Sequence, residues 1–115
     1  MKVQGLFRNA QRTIVVPPGG VVFHEGEPGE EMYGIVRGSV QLQARGRLIA
    51  TLGPDEVFGE MAVVDGSPRM ATAVAATETE LAAIDRHRFL FLVQETPMFA
   101  LSVMSAMADR FRAQA

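Results

Sequence analysis

Between Thr13 and Ile84 short β-type segments recur at a spacing of roughly 8–12 residues, with Gly and Pro between them. Thr13–Val16 runs into Pro17-Pro18-Gly19-Gly20. Val21–His24 runs into the acidic loop Glu25-Gly26-Glu27-Pro28-Gly29-Glu30. Met32–Val36 and Ser39–Gln43 are joined by Arg37-Gly38, and Arg45-Gly46 leads into Leu48–Leu52. Val40 and Leu42 alternate with Gln41 and Gln43, the period of a half-buried strand. Gly53-Pro54-Asp55-Glu56 forms a turn, Glu60–Val64 one or two helical turns, and Asp65-Gly66-Ser67-Pro68 a loop. Met70–Ala76 and Glu80–Ile84 complete the series across Thr77-Glu78-Thr79. This punctuation predicts an antiparallel sandwich or barrel over residues 13–84.

Helical patterns flank the strands. Val3, Leu6, Phe7 and Ala10 predict a short N-terminal helix within residues 1–10. Asp85 is a suitable N-cap for a helix over 86–95. Thr96-Pro97 then opens the longest helix, over 97–112, with Thr as N-cap and Pro at the first helical position. On a helical wheel Ser102, Ser105, Asp109 and Arg112 share a narrow polar arc. Nearly everything else is apolar, a wider arc than the stripe of roughly 100° that one core face requires. A partner subunit, a ligand or a further domain could each cover the excess. Three of the seven Met residues lie in this helix, which suits adaptable packing and self-association into a homodimer.

The 115 residues and 48% apolar content fit one domain spanning 1–115. The net charge of −2 argues against a general nucleic-acid binder, which needs a clustered basic face. Absence of Cys excludes disulfides, thiolate metal sites and a Cys nucleophile. The N-terminus has no apolar signal region, so a cytoplasmic location is expected. The densest apolar run, Phe89–Val93, is too short for a membrane span.

The stretch from Phe58 to Ala73 carries the chemistry. Gly59 permits a sharp turn or close approach of backbone to a ligand. The helical turn that follows offers free backbone N–H groups to an anion. Glu60 stands at that start, where its carboxylate can accept from sugar hydroxyls. Pro68 sets the backbone leading to Arg69, which is expected to begin a strand and project into the same hollow. One anion nest, one Arg and one hydroxyl acceptor describe a site for a sugar phosphate. The alternative is a surface ion pair between Glu60 and Arg69, worth at most about 1 kcal/mol.

Phe58-Gly59-Glu60-Met61-Ala62, a short loop, and Pro68-Arg69-Met70-Ala71-Thr72 resemble the phosphate-binding cassette of cyclic nucleotide-binding domains, as in catabolite activator protein and protein kinase A regulatory subunits. Gly26-Glu27-Pro28-Gly29 and the segment from Met32 to Val40 resemble that family's early strands. The resemblance implies a mainly β fold with flanking helices: a β-roll, a jelly-roll-like antiparallel barrel, over 13–84, with the cassette at 58–72. It implies that Arg69 neutralises a cyclic phosphate, with backbone N–H groups of Met61, Ala62 and Met70 or Ala71 around the oxygens. Glu60 and Gly59 would hold the ribose, and Leu42, Ile49 and Met70 the base. The last helix would be a lid, with Met104, Met107, Arg110 and Phe111 as candidates among which the sequence does not select. In cGMP-selective members a Thr follows the cassette Arg. Met70 stands there instead, tilting the expectation towards cAMP, although its bulk could also narrow the site.

The expected function is therefore a stand-alone, bacterial-type cyclic nucleotide sensor that moves its C-terminal helix and acts on a protein partner. The chain ends at Ala115 without room for an output domain, so a piece of a longer protein is the other expectation. A scaffold that kept the fold and lost the response is the second reading, and Met70 favours it. A cupin-type metal enzyme is disfavoured, because His24 and His87 are the only histidines. The Ser residues have no adjacent His–Asp set, so no catalytic activity, metal or cofactor is expected beyond the nucleotide ligand.

Overall fold

The computed structural model describes residues 4–114. Eight strands come first: β1 (Thr13–Val16), β2 (Val21–Phe23), β3 (Glu31–Arg37), β4 (Val40–Ala44), β5 (Arg47–Leu52), β6 (Val57–Phe58), β7 (Thr72–Ala75) and β8 (Thr79–Asp85). Helix α1 (Met61–Val64) interrupts them, and α2 (Arg86–Glu95) and α3 (Pro97–Gln114) follow. The strands form two antiparallel four-stranded sheets, ordered β1-β8-β3-β6 and β2-β7-β4-β5. The two sheets face each other as the expected β-roll, with no hydrogen-bonded ladder between them among the described strands.

Alternation explains where each strand points. In β4, Val40, Leu42 and Ala44 are buried while Gln41 and Gln43 are not. β8 is buried on both faces. Its Leu81 joins Ile35, Val40, Leu42, Phe58 and Ala73 in one core cluster. Its Ala82 and Ile84, pointing the other way, join Met32, Val57, Phe99, Val103 and Ala106 in a second. The wall made by β3 and β8 therefore separates a sandwich core from a core shared with the helices. β6 has no signature in the sequence, because two residues, both buried, carry no period.

The N-terminal segment differs from expectation. Residues 4–9 form consecutive turns, closed by Arg8 N–H to Gly5 O and Ala10 N–H to Phe7 O, both 3.2 Å. Gly5 adopts φ +71°, which breaks a helix, and so short a segment has little helical stability of its own. Val3 lies outside the described residues. Phe7 is nevertheless core: its ring meets Phe99 edge-on at 6.5 Å and fills the space above Gly34, where a Cβ would overlap it.

Asp85 caps α2 by accepting from Arg88 N–H at 2.8 Å. The chain bends by 118° between α2 and α3. No single helix among the described residues is long and apolar enough to cross a membrane. α3 presents Phe99, Ser102, Val103 and Ala106 inward. Ser102 is thus buried, not part of a solvent-facing polar arc, while Leu101, Met104 and Phe111 are exposed. The helix turns this way because Phe99, Val103 and Ala106 complete the core behind β8, and Ser102 shares their side.

Candidate functional site

β6 ends at Phe58, and Gly59 then takes φ +76°, a conformation that L side chains rarely adopt. A Cβ at Gly59 would stand 2.9 Å from Arg69 Nη1 and 3.3 Å from the Phe23 ring. The turn delivers Glu60 to the N-cap of α1, where its carbonyl receives Val63 and Val64 N–H at 3.1 and 3.0 Å. Met61 and Ala62 supply the first amides of this helical turn.

Arg69 reaches the same wall from a loop, not from a strand as expected: β7 begins at Thr72. Met70 and Ala71 lie in a bend because Arg69 is held by the β2–β3 loop instead of a sheet. Its N–H donates to Glu27 O and its carbonyl accepts from Gly26 N–H, each at 2.8 Å. Its side chain is 7% exposed and Nη1 donates to Gly59 O at 3.2 Å.

Glu60 is 6% exposed, and it does not pair with Arg69. The surface ion pair considered above is therefore absent. Glu60 Oε1 and Arg69 Nε are both buried and without a hydrogen-bond partner. Burial raises the Glu60 carboxyl above the usual carboxylate range, opposed by the charge of Arg110 and by its own backbone N–H. Burial likewise lowers the Arg69 guanidinium from its ordinary value, opposed by Tyr33, Glu31 and Glu27.

These groups line a cavity of about 530 Å³ between the roll and α3. The cassette contributes Gly59, Glu60, Met61, Ala62, Arg69, Met70 and Ala71. Leu42 of β4 and Ile49 of β5 face the same space. Among the lid candidates Met107, Arg110 and Phe111 line it; Met104 does not and is 59% exposed. Arg110 Nη1 donates to Ala106 O at 3.1 Å, and Nη2 donates to Val57 O, tying α3 to β6. The inward-pointing Phe23 and the helix positions Ala108, Arg112 and Gln114 also line the cavity but were not expected. Ala108, Phe111 and Arg112 lie one helical turn beyond Met104, Met107 and Ala108, so that spacing was an available signal for the helix.

His24 and His87 are exposed, and His24 Nδ1 lies 3.5 Å from Glu27. Among the described residues no group of three or more metal-ligating side chains comes together.

The roll and this wall define a ligand-binding module: an anion-complementary guanidinium and a buried carboxyl at one end of a largely apolar cleft. The profile of the cyclic nucleotide-binding domain matches residues 13–96, and the chain belongs to that family. It is 37% identical over 101 residues to the cyclic AMP receptor protein of Thermus thermophilus, covering 84% of this chain and 47% of that protein. A cyclic nucleotide-gated potassium channel of Mesorhizobium japonicum is 40% identical over 91 residues, 79% of this chain and 25% of the channel. The chain thus spans about half or less of the length of these relatives. The crystal structure of Thermus thermophilus catabolite activator protein superposes with TM-score 0.75 at 34% identity, over 88% of this chain and 50% of that one. A structure described under a cyclic-GMP-dependent signalling pathway that regulates bacterial phytopathogenesis superposes with TM-score 0.76 at 28% identity, over 94% of this chain and 92% of that one.

Proposed function

We propose that this chain is a regulatory module that binds cAMP in preference to cGMP in the cavity above. The observation that carries the reading is the pair of buried, unpartnered polar atoms on one wall, Glu60 Oε1 and Arg69 Nε. A buried polar group left unpaired costs about 1–3 kcal/mol. A cyclic nucleotide offers both what they lack: a phosphate for Arg69 and a ribose hydroxyl for Glu60. Met61, Ala62, Met70 and Ala71 complete the phosphate end. Leu42, Ile49 and Met70 form the apolar seat for the base, and Gly59 lets the ribose approach. The cAMP preference is supported by Met70, which has no hydroxyl to offer a guanine amino group.

The ligand acts by shifting the position of α3, which is possible only if it binds the two arrangements with different affinity. Met107, Arg110 and Phe111 are the lid side chains, and Arg110 is the contact through which α3 senses an occupied cavity. Leu101, Met104, Ala108 and Phe111 follow the 3-4-3 spacing of a coiled-coil seam, which supports pairing of α3 with a second copy. The output passes to a protein partner through that helix.

Calorimetric titration with cAMP and cGMP, beside Arg69→Ala and Glu60→Gln, tests the reading. Micromolar or tighter cAMP binding, weaker cGMP binding and loss of both with Arg69→Ala are expected. A folded protein giving no heat and no thermal shift with either nucleotide would instead leave an interaction scaffold. Tighter cGMP than cAMP binding would overturn the Met70 argument alone.

A further inference from the structure

Arg69 is buried yet has no carboxylate within ion-pair distance among the described residues. Its cation rests on aromatic faces instead: Cζ lies 4.1 Å from the centre of the Phe23 ring and 5.8 Å from that of Tyr33. Both rings pack on Phe58, with centroids 5.8 and 5.5 Å away, and Phe58 is fully buried in the sandwich core. The shelf under the guanidinium is therefore anchored. Elsewhere around the same group, Gly29 leaves the room it needs. A Cβ there would overlap Cζ, Nε and Nη2 of Arg69. Gly29 does not have the positive φ that would demand glycine for backbone reasons, so Arg69 itself is the group that requires it.

A ring face attracts a cation through its quadrupole but carries no net charge. A carboxylate in its place would neutralise the guanidinium and compete with an arriving anion. Resting on the reading of Arg69 as the phosphate ligand, we infer that Phe23 and Gly29 are positioning residues for the phosphate. The Phe23 face and the space at Gly29 hold the guanidinium oriented, charged and unpaired before the ligand arrives. Recognition then needs no ion pair to be broken. The planar guanidinium suits this slot, and a lysine ammonium does not.

Two measurements test the assignment. The first is cAMP titration of Phe23→Leu, Phe23→Tyr and Gly29→Ala. Phe23→Leu and Gly29→Ala each weaken binding roughly 3- to 30-fold, and Phe23→Tyr, which keeps the ring face, stays near the parent value. Equal loss in Phe23→Leu and Phe23→Tyr, or unchanged affinity in both Phe23→Leu and Gly29→Ala, overturns it. The second is thermal unfolding of the free protein, which is readable even if no cyclic nucleotide binds. Gly29→Ala lowers the midpoint by about 4–8 °C in the parent and leaves it unchanged in the Arg69→Ala background. Equal shifts in both backgrounds would mean that Gly29 serves the loop and not the guanidinium.

Discussion

Replacing Glu60 by Gln separates the two things its carboxylate does. The side chain is 6% exposed, Oε1 has no partner, and burial outweighs the attraction of Arg110, so the carboxyl sits above its usual pKa in the folded chain. A raised folded pKa means the native state holds a proton that the unfolded state releases. That contribution is present below the ordinary carboxylate value and is lost as pH rises through the folded one. At pH 8 the buried charge is therefore a cost, and Gln removes it while keeping the shape. The free Glu60→Gln protein should be more stable than the parent by about 1 kcal/mol at pH 8, the low end of the cost of an unpaired buried polar group. For a domain of this size that is a midpoint rise of about 4 °C. The gap should close as pH falls towards the ordinary carboxylate range, where both side chains are neutral. In the same variant the proposed ribose contact drops from a charge-assisted to a neutral hydrogen bond. This costs about 1 kcal/mol, or roughly five-fold in cAMP affinity. Thermal scans across pH, with and without cAMP, read both quantities. A Glu60→Gln protein less stable than its parent at pH 8 would show that the carboxylate is compensated in the free state and would refute the desolvation argument.

Gly34→Ala should destabilise the fold by about 1–3 kcal/mol, because its Cβ would overlap the Phe7 ring; denaturant titration measures it. Asp85→Ala removes the cap bond to Arg88 N–H and should cost about 1 kcal/mol in the same assay. Met104→Glu lies on the exposed face of α3 and off the cavity. It should abolish the proposed pairing of α3 in sedimentation experiments while leaving cAMP affinity within about two-fold of the parent.

The strands were readable because their period and their punctuation agree. β4 alternates Gln with buried apolar side chains, and β1 has the bounds that the Pro17-Pro18 stop implies. β6 is too short to have a period. The N-terminal turns were hidden because the spacing of Leu6, Phe7 and Ala10 suits a helix, and only the positive φ of Gly5 shows otherwise. In the candidate site the cassette residues are contiguous, so the sequence placed them together. Phe23, Tyr33 and Gly29 were not visible there as parts of the site, since their approach to Arg69 depends on the pairing of the β2–β3 loop with the Arg69 backbone through Gly26 and Glu27. The orientation of α3 was equally hidden: with apolar residues around most of the wheel, the sequence does not select the inward face, and Ser102 is buried with Val103.

The wall formed by β3 and β8 has a consequence for how the molecule opens. Ile35 and Leu81 point into one core and Met32 and Ile84 into the other, so these two strands are covered from both sides. Their amides should exchange with solvent deuterium through unfolding of the whole chain. α3 has a core on one face alone and can detach in a smaller excursion that leaves the sandwich standing. Exchange should accordingly divide the backbone into a slow sheet and a faster helical layer. The last protons to leave would be those of the strands against which the helices rest.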